Sequence, residues 1–155
     1  LADLGVPVAH AVVSATRPPD RQRLDVNRIR TMSRADWLAE LATADFLGSE
    51  ATPAEAEEIA DLMIPVLRAD HLLLARYRPT YRPSTVPLLA LGGSADPWIT
   101  PTHLAGWQRW ATGAFQTRTL PGGHFYYRDQ LDEFCELIRT GPLPLFRSAE
   151  KAARS

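Results

Sequence analysis

Two short segments that each lead into a glycine pair constrain the fold of this 155-residue chain more than any other feature. Residues 86–91, an apolar run, lead into Gly92-Gly93, and residues 115–120 lead into Pro121-Gly122-Gly123. Short segments that are bounded in this way by Gly and Pro are typical of strands. Between them, Thr100-Pro101 offers a helix N-cap followed by proline at the first helical position. Strand, helix and strand in this order predict a right-handed crossover between parallel strands.

A second apolar run, residues 6–14, predicts a third strand, which closes at Arg17-Pro18-Pro19. Continuous apolar character in this run and in residues 86–91 suits strands that are covered on both faces of a parallel sheet. Residues 115–120 alternate instead, as a strand nearer an edge does. The fold class is therefore α/β, with three mostly parallel strands and flanking helices.

The last helix is predicted from a single apolar face. Its members lie at positions i, i+3, i+4 and i+7, namely Leu131, Phe134, Cys135 and Ile138. Because Cys135 lies on this face, we expect it to pack in the core and to have no chemical role. Residues 143–155 are polar and predict a frayed tail.

Residues 25–80 have a helical character that differs from the rest of the chain. Ser33 is placed to cap one helix, and Thr52-Pro53-Ala54-Glu55 forms a capping box that begins another. Pro65 should break or kink this second helix, with a further helix running from Pro65 towards Tyr77. An all-helical stretch of this length is long for a connection between strands, and such insertions are often lids. Two interpretations stay open, a lid and a plain helical subdomain that covers the sheet.

Composition excludes several classes of partner. A formal net charge of −1 gives no field for nucleic acid. No apolar run approaches the roughly 20 residues of a membrane helix. A single cysteine rules out an intrachain disulfide and is compatible with a reducing cytosol, so we expect a cytoplasmic protein. The isolated residues His10, His71 and His103 lack neighbouring ligands, and we expect neither a metal nor another cofactor.

Asp96 and His124 are the candidate catalytic residues, because each follows one of the glycine-bounded strands. In α/β-hydrolases the triad runs Ser, then Asp or Glu, then His along the chain. The histidine takes the proton of the serine, and the aspartate orients the imidazole and stabilises its charged form. No G-x-S-x-G elbow occurs here, and neither Ser14 nor Ser94 is set in one. We therefore expect the C-terminal part of a hydrolase whose nucleophile lies upstream, and an inactive chain by itself.

Five elements, in order and spacing, resemble the type II thioesterases of polyketide and nonribosomal peptide assembly lines. They are Ser14-Ala15-Thr16-Arg17-Pro18-Pro19, Pro65-Val66-Leu67-Arg68-Ala69-Asp70, Leu91-Gly92-Gly93-Ser94-Ala95-Asp96, Trp107 and Leu120-Pro121-Gly122-Gly123-His124-Phe125. The resemblance implies an α/β-hydrolase fold with a helical lid. It also implies hydrolysis of acyl groups from the phosphopantetheine arm of an acyl or peptidyl carrier protein. Asp20 stands where this family usually has a histidine, and no function is transferred to that position.

The resemblance divides the chain into a hydrolase core, residues 1–24 and 81–142, and a lid insertion, residues 25–80. Trp98 either lines the acyl channel or only packs. Two other functions remain open, a degenerate noncatalytic binding module and a hydrolase for another ester or an epoxide. Without the N-terminal half that would carry the serine, the strand at residues 6–14 becomes an open apolar edge. We therefore expect the chain to be complemented by that half, to pair edge-to-edge with a copy of itself, or to be only part of a longer polypeptide.

Overall fold

A three-stranded parallel sheet forms the centre of the computed structural model, which describes residues 7–21, 24–43, 45–46 and 52–142. The strands are β1 (Ala11–Ser14), β2 (Leu88–Gly93) and β3 (Phe115–Leu120), in the spatial order β1-β2-β3. Both pairings are parallel, with Ala11 opposite Leu88 and Leu88 opposite Phe115. The predicted sheet of three mostly parallel strands is therefore confirmed.

The position of each strand in the sheet decides how deeply it is buried. All six residues of β2 are buried, because it has a neighbour on both sides. The strand predicted over residues 6–14 is shorter in the described part, but its two faces are covered, since Val12 packs against the Leu89 cluster and Val13 against the Ala90 cluster. Pairing begins only at Ala11, and the residues of β1 are exposed or half-buried because one side of the strand has no described neighbour. β3 lies at an edge of the described sheet, as predicted, although its buried residues do not alternate.

Two apolar layers cover β2, one on each face. On one face Leu89 and Leu91 pack with Leu120 and Tyr126. On the other face Ala90 packs with Ile99 and Leu104. Burying one leucine side chain completely stabilises a fold by about 1.5–3 kcal/mol, so these layers fix the sheet against its flanking helices.

The described residues between β1 and β2 form three α-helices. They are α1 (Val26–Thr31), α2 (Arg34–Thr43) and α3 (Pro53–Arg76). Ser33 caps α2, since its Oγ accepts from the Asp36 amide at 3.2 Å. Thr52 and Glu55 form the predicted capping box at the start of α3. None of the described helices is both long and apolar enough to cross a bilayer.

The predicted break at Pro65 is wrong, because α3 continues through this residue without interruption. Proline removes one hydrogen bond to the preceding turn and crowds its carbonyl. Packing on both sides of Pro65 compensates for that loss. Ile64, Leu67 and Leu72 all contact a cluster centred on Trp37, so tertiary contacts override the local preference.

Two further α-helices of the described residues pack against the sheet. They are α4 (Pro101–Ala105), which continues as a 3₁₀ turn, and α5 (Leu131–Thr140). Thr100 caps α4 with proline at its first position, as predicted. The predicted inner face of α5 was right at Phe134 and wrong at its other members. Leu131 is 58% exposed and Ile138 41% exposed, while Phe134 and Leu137 pack inward against the Tyr126 cluster.

Cys135 is correspondingly exposed, so its predicted core position is wrong. The physical reason is aromatic packing, since Phe134 meets the rings of both Tyr126 and Tyr127 and these contacts set the rotation of α5.

Candidate active site

Asp96 and His124 meet at the carboxyl edge of the sheet. Asp96 follows β2 and His124 follows β3, and neighbouring parallel strands place these ends at one edge. The Nδ1 atom of His124 lies 2.9 Å from Oδ2 of Asp96. A carboxylate only accepts hydrogen bonds, so Nδ1 must carry the proton. In the neutral imidazole with the proton on Nδ1, the other ring nitrogen, Nε2, has a lone pair that can accept a proton.

The second oxygen of Asp96 is held by the backbone of the same loop. Oδ1 accepts hydrogen bonds from the amides of Trp98 at 2.8 Å and Ile99 at 3.0 Å. The Asp96 side chain is fully buried, and burial of an unpaired carboxylate would be costly. Both oxygens are therefore engaged, and the carboxylate has one orientation towards His124.

Gly93 permits the close approach of the two loops. A Cβ atom at this position would lie 2.0 Å from the carbonyl oxygen of Gly123 and 2.5 Å from that of Gly122. Backbone hydrogen bonds join the loops directly, from Ser94 to Leu120 and from Ala95 to Gly122. The sequence indicated Gly93 only as a strand end, and the pair Gly92-Gly93 was the one signal that could have pointed to this contact.

The turn before His124 depends on Gly122 more than on Gly123. Gly122 has a φ angle of +120°, which side chains rarely adopt, and a Cβ atom there would lie 3.0 Å from Cα of Tyr126. At Gly123 a Cβ atom would meet nothing within 4 Å. Gly122 therefore sets the direction in which the chain presents His124.

Two aromatic rings border the imidazole of His124. The centroid of Trp98 lies 5.0 Å away and that of Phe125 5.3 Å away, both in edge-to-face geometry. Trp98 is itself held by the segment that follows β1, since its carbonyl accepts from Nη2 of Arg17 at 3.2 Å. Trp98 also packs against the Ile99 layer, so it contacts both the core and the candidate base.

Ser14 ends β1 at the same edge, but its partner is Tyr126. The two hydroxyl oxygens lie 2.7 Å apart. Burial raises the pKa of the Tyr126 phenol and the Asp96 carboxylate adds to this, while the hydrogen bond with Ser14 opposes it. In the part of the chain that the structure describes, no serine or cysteine side chain is hydrogen-bonded to His124.

The remaining histidines have local partners. His10 lies 2.6 Å from the carbonyl of Ile138, and His71 lies 2.8 Å from that of Leu67. His103 completes the cap of α4, and burial followed by the charge of Arg17 lowers its pKa. Among the described residues, no three His, Cys, Asp or Glu side chains come together as a metal would require.

Asp20 joins two segments of the surface. Its carboxylate accepts from Nη1 of Arg109 at 2.6 Å and from the indole nitrogen of Trp110 at 2.9 Å. These contacts hold the 3₁₀ turn after α4 against the segment that follows β1.

Comparison with known proteins identifies the family of this chain. The family model described as a thioesterase domain matches residues 1–141. The thioesterase PikA5 of Streptomyces venezuelae is 36% identical over 94 residues, which are 59% of this chain and 33% of PikA5.

Two solved structures are similar at 30% identity. The type II thioesterase BorB of the borrelidin biosynthetic cluster aligns with a TM-score of 0.72, covering 89% of this chain and 56% of BorB. The thioesterase RedJ of the prodiginine pathway in Streptomyces coelicolor aligns with a TM-score of 0.69, covering 86% of this chain and 54% of RedJ. The chain thus spans about a third of PikA5 and about half of each solved relative.

Proposed function

The chain belongs to the thioesterase-domain family and shares the α/β-hydrolase fold of its relatives, and from this premise we propose that it supplies the Asp and His of a serine thioesterase. His124 is the general base and Asp96 is the carboxylate that orients it. The 2.9 Å contact between them, with the other Asp96 oxygen held by two backbone amides, carries the proposal. The serine would come from an N-terminal part of the protein outside these 155 residues.

The proposed reaction is hydrolysis of an acyl thioester. Nε2 of His124 accepts the serine proton as the hydroxyl oxygen attacks the thioester carbonyl. Collapse of the tetrahedral intermediate breaks the carbon–sulfur bond, and His124 returns the proton to the departing thiolate. A water molecule then attacks the acyl-serine, with the same imidazole as its base. The bond between the acyl carbon and the serine oxygen breaks, the imidazolium returns the proton to the serine, and the free acid leaves. Asp96 stabilises the imidazolium during both attacks.

The proposed substrate is an acyl group on the phosphopantetheine arm of an acyl or peptidyl carrier protein. BorB is described as a type II thioesterase of a biosynthetic cluster, and RedJ as a thioesterase of such a pathway. By analogy, the enzyme would remove acyl groups from an assembly line for polyketides or nonribosomal peptides, as an editing activity in the cytoplasm.

We also propose that the helical insertion α1–α3 acts as the lid of this site. The segment directly after α2 supports this role, because Phe46 contacts Phe125, the residue next to His124. The core and the lid would then correspond to residues 1–24 with 81–142 and to residues 25–80.

Hydrolysis of acyl-loaded carrier protein by the complete enzyme tests the proposal. His124→Gln and Asp96→Asn should each lower kcat by very roughly 10⁴-fold, as loss of the orienting aspartate does in serine proteases. His10→Gln and Asp20→Asn are matched controls that make the same chemical changes at residues outside the site, and both should retain activity. Full activity in His124→Gln would refute the role of the base.

Two further measurements separate the alternatives. The 155-residue chain alone should show no turnover, and robust turnover by it would refute the need for an outside nucleophile. A complete protein that binds acyl-carrier protein without hydrolysing it would be a binding module. Preference for a free ester or an epoxide over the carrier-bound thioester would identify a different hydrolase.

A further inference from the structure

Helix α2 ends in a turn that aims two groups away from the helix. Asp45 has a φ angle of +57°, its amide donates to Ala42 at 3.1 Å, and the amide of Phe46 donates to Leu41 at 3.0 Å. This pair of hydrogen bonds around a left-handed residue is the Schellman motif, in which glycine is the usual occupant. The motif fixes where the Phe46 side chain and the Asp45 carbonyl point.

Both groups meet the segment that follows His124. The ring of Phe46 packs edge-to-face on Phe125 with centroids 4.8 Å apart. The guanidinium of Arg128 lies over the same Phe125 ring at 4.2 Å, and its Nη1 donates to the Asp45 carbonyl at 3.2 Å. We refer to Phe46, Phe125 and Arg128 as the clamp. Phe125 is thus contacted both by the end of α2 and by a side chain that is tied to that end.

The clamp reaches His124 through Phe125. The Phe125 ring lies against the imidazole at 5.3 Å, and only 20% of the His124 side chain is exposed. A ring bordered in this way has few orientations available, and the one observed directs Nδ1 to Asp96. The hydrogen bond with Asp96 and the contact with Phe125 therefore constrain the same imidazole.

We infer that Phe46 and Arg128 are positioning residues for His124, so that the imidazole is oriented towards Asp96 only while the end of α2 is docked on Phe125. The catalytic meaning of this inference rests on the proposed function, but the coupling itself does not. Undocking of the helical insertion would release Phe125 and allow the imidazole to turn. The clamp would thereby make the base competent only when the insertion is in place.

The test is the tautomer of His124 in the complete protein, read from the ¹⁵N shifts of the histidine ring by NMR. The His124 signals are identified by their loss in His124→Gln. In the wild type, the shifts should report a proton on Nδ1. In Phe46→Ala and in Arg128→Gln they should move towards the average of two exchanging tautomers, and Phe46→Leu should move them less.

Tyr81→Ala and Arg109→Gln are the matched controls. Tyr81 packs edge-to-face on Trp110 at 5.3 Å, and Arg109 lies over the Tyr81 ring at 5.6 Å, so these changes remove the same two kinds of contact. Neither residue contacts His124 or Phe125 in the described structure. Altered shifts in the clamp variants alone support the inference. Shifts that are altered in the control variants as well, or in no variant, overturn it.

Kinetics give a second readout that separates this inference from the proposed function. With carrier-bound substrate, the clamp variants should lose roughly ten- to a hundredfold in kcat with little change in KM, as misplacement of a catalytic group does. Activity that is intact in these variants would overturn the inference while leaving the triad standing. If the wild type has no thioesterase activity, the proposed function fails, and the ring shifts still decide whether the clamp orients His124.

Discussion

At the scale of single residues, Gly93 and Gly123 provide a matched pair at the closest point between the Asp96 and His124 loops. Alanine at Gly93 would place Cβ 2.0 Å from a backbone oxygen, whereas at Gly123 nothing lies within 4 Å. Both changes restrict the unfolded chain equally, so the difference between them reports the folded state. Gly93→Ala should lower the free energy of unfolding by about 1–3 kcal/mol, as overpacking does.

Gly123→Ala should stay within about 0.5 kcal/mol of the wild type. Urea unfolding measures both values, and ring ¹⁵N shifts show whether the contact between His124 and Asp96 survives. Equal effects of the two substitutions would contradict the close approach at Gly93.

Asp20 gives a pH-dependent prediction. Partial burial raises the pKa of Asp20, but the hydrogen bond from Trp110 and the charge of Arg109 outweigh it and bring the pKa below its ordinary value. A carboxyl whose pKa is lower in the folded state stabilises the fold above its unfolded pKa, and this contribution is lost as the pH falls through the folded pKa.

Asp20→Asn should therefore lower the free energy of unfolding at pH 7 by about 0.5–1 kcal/mol. The difference from the wild type should shrink below about pH 4, where the unfolded carboxyl takes up its proton. Urea titrations at several pH values measure it. Asp129→Asn is the control, because Asp129 has no ion pair among the described residues. A difference that grows on acidification would have the wrong sign and would refute this account.

At the scale of elements, α3 carries an internal proline whose removal should stabilise the chain. Pro65 lies in the interior of a 24-residue helix and is exposed, so Pro65→Ala removes no core packing. Proline in a helix interior costs up to about 3 kcal/mol relative to alanine. We expect a higher free energy of unfolding for Pro65→Ala.

Pro53→Ala makes the same chemical change at the first position of the same helix. Proline is well tolerated there because that amide has no partner within the helix. This control should change stability little. Chemical denaturation of both variants tests the pair, and a Pro65→Ala variant no more stable than the wild type would indicate that the proline has a role beyond the helix.

At the scale of the whole molecule, the open edge of β1 predicts association. Only β2 pairs with β1 among the described residues, and unpaired backbone groups at a sheet edge attract other strands. On α3, Leu62 is 75% exposed and Leu73 70% exposed, which adds uncovered apolar surface. A polypeptide of these 155 residues should therefore self-associate as its concentration rises.

Light scattering over a concentration series measures this association. Ala11→Lys places a charge on an exposed position of the β1 edge and should reduce it. Thr102→Lys adds the same charge on an exposed position of α4 and should not. A monodisperse monomer of the unsubstituted chain at all concentrations would contradict the prediction.

Local sequence determined a large part of this protein. The Gly and Pro boundaries predicted β2 and β3, the capping box at Thr52 predicted where α3 begins, and Thr100-Pro101 predicted where α4 begins. Each of these features depends on residues that lie only a few positions apart, so the local sequence specifies it without tertiary contacts. The placement of Asp96 near His124 could also be predicted, because parallel strands in succession bring their carboxyl ends to one edge.

Only the tertiary structure decided the features that depend on distant partners. The continuity of α3 through Pro65 comes from packing around Trp37, and the rotation of α5 comes from the ring contacts of Phe134 with Tyr126 and Tyr127. The need for glycine at position 93 and the contact of Phe46 with Phe125 join segments about 30 and 80 positions apart. An apolar period in the sequence predicts that a helix buries one face. The shape of the surface against which the helix packs decides which of its residues are buried.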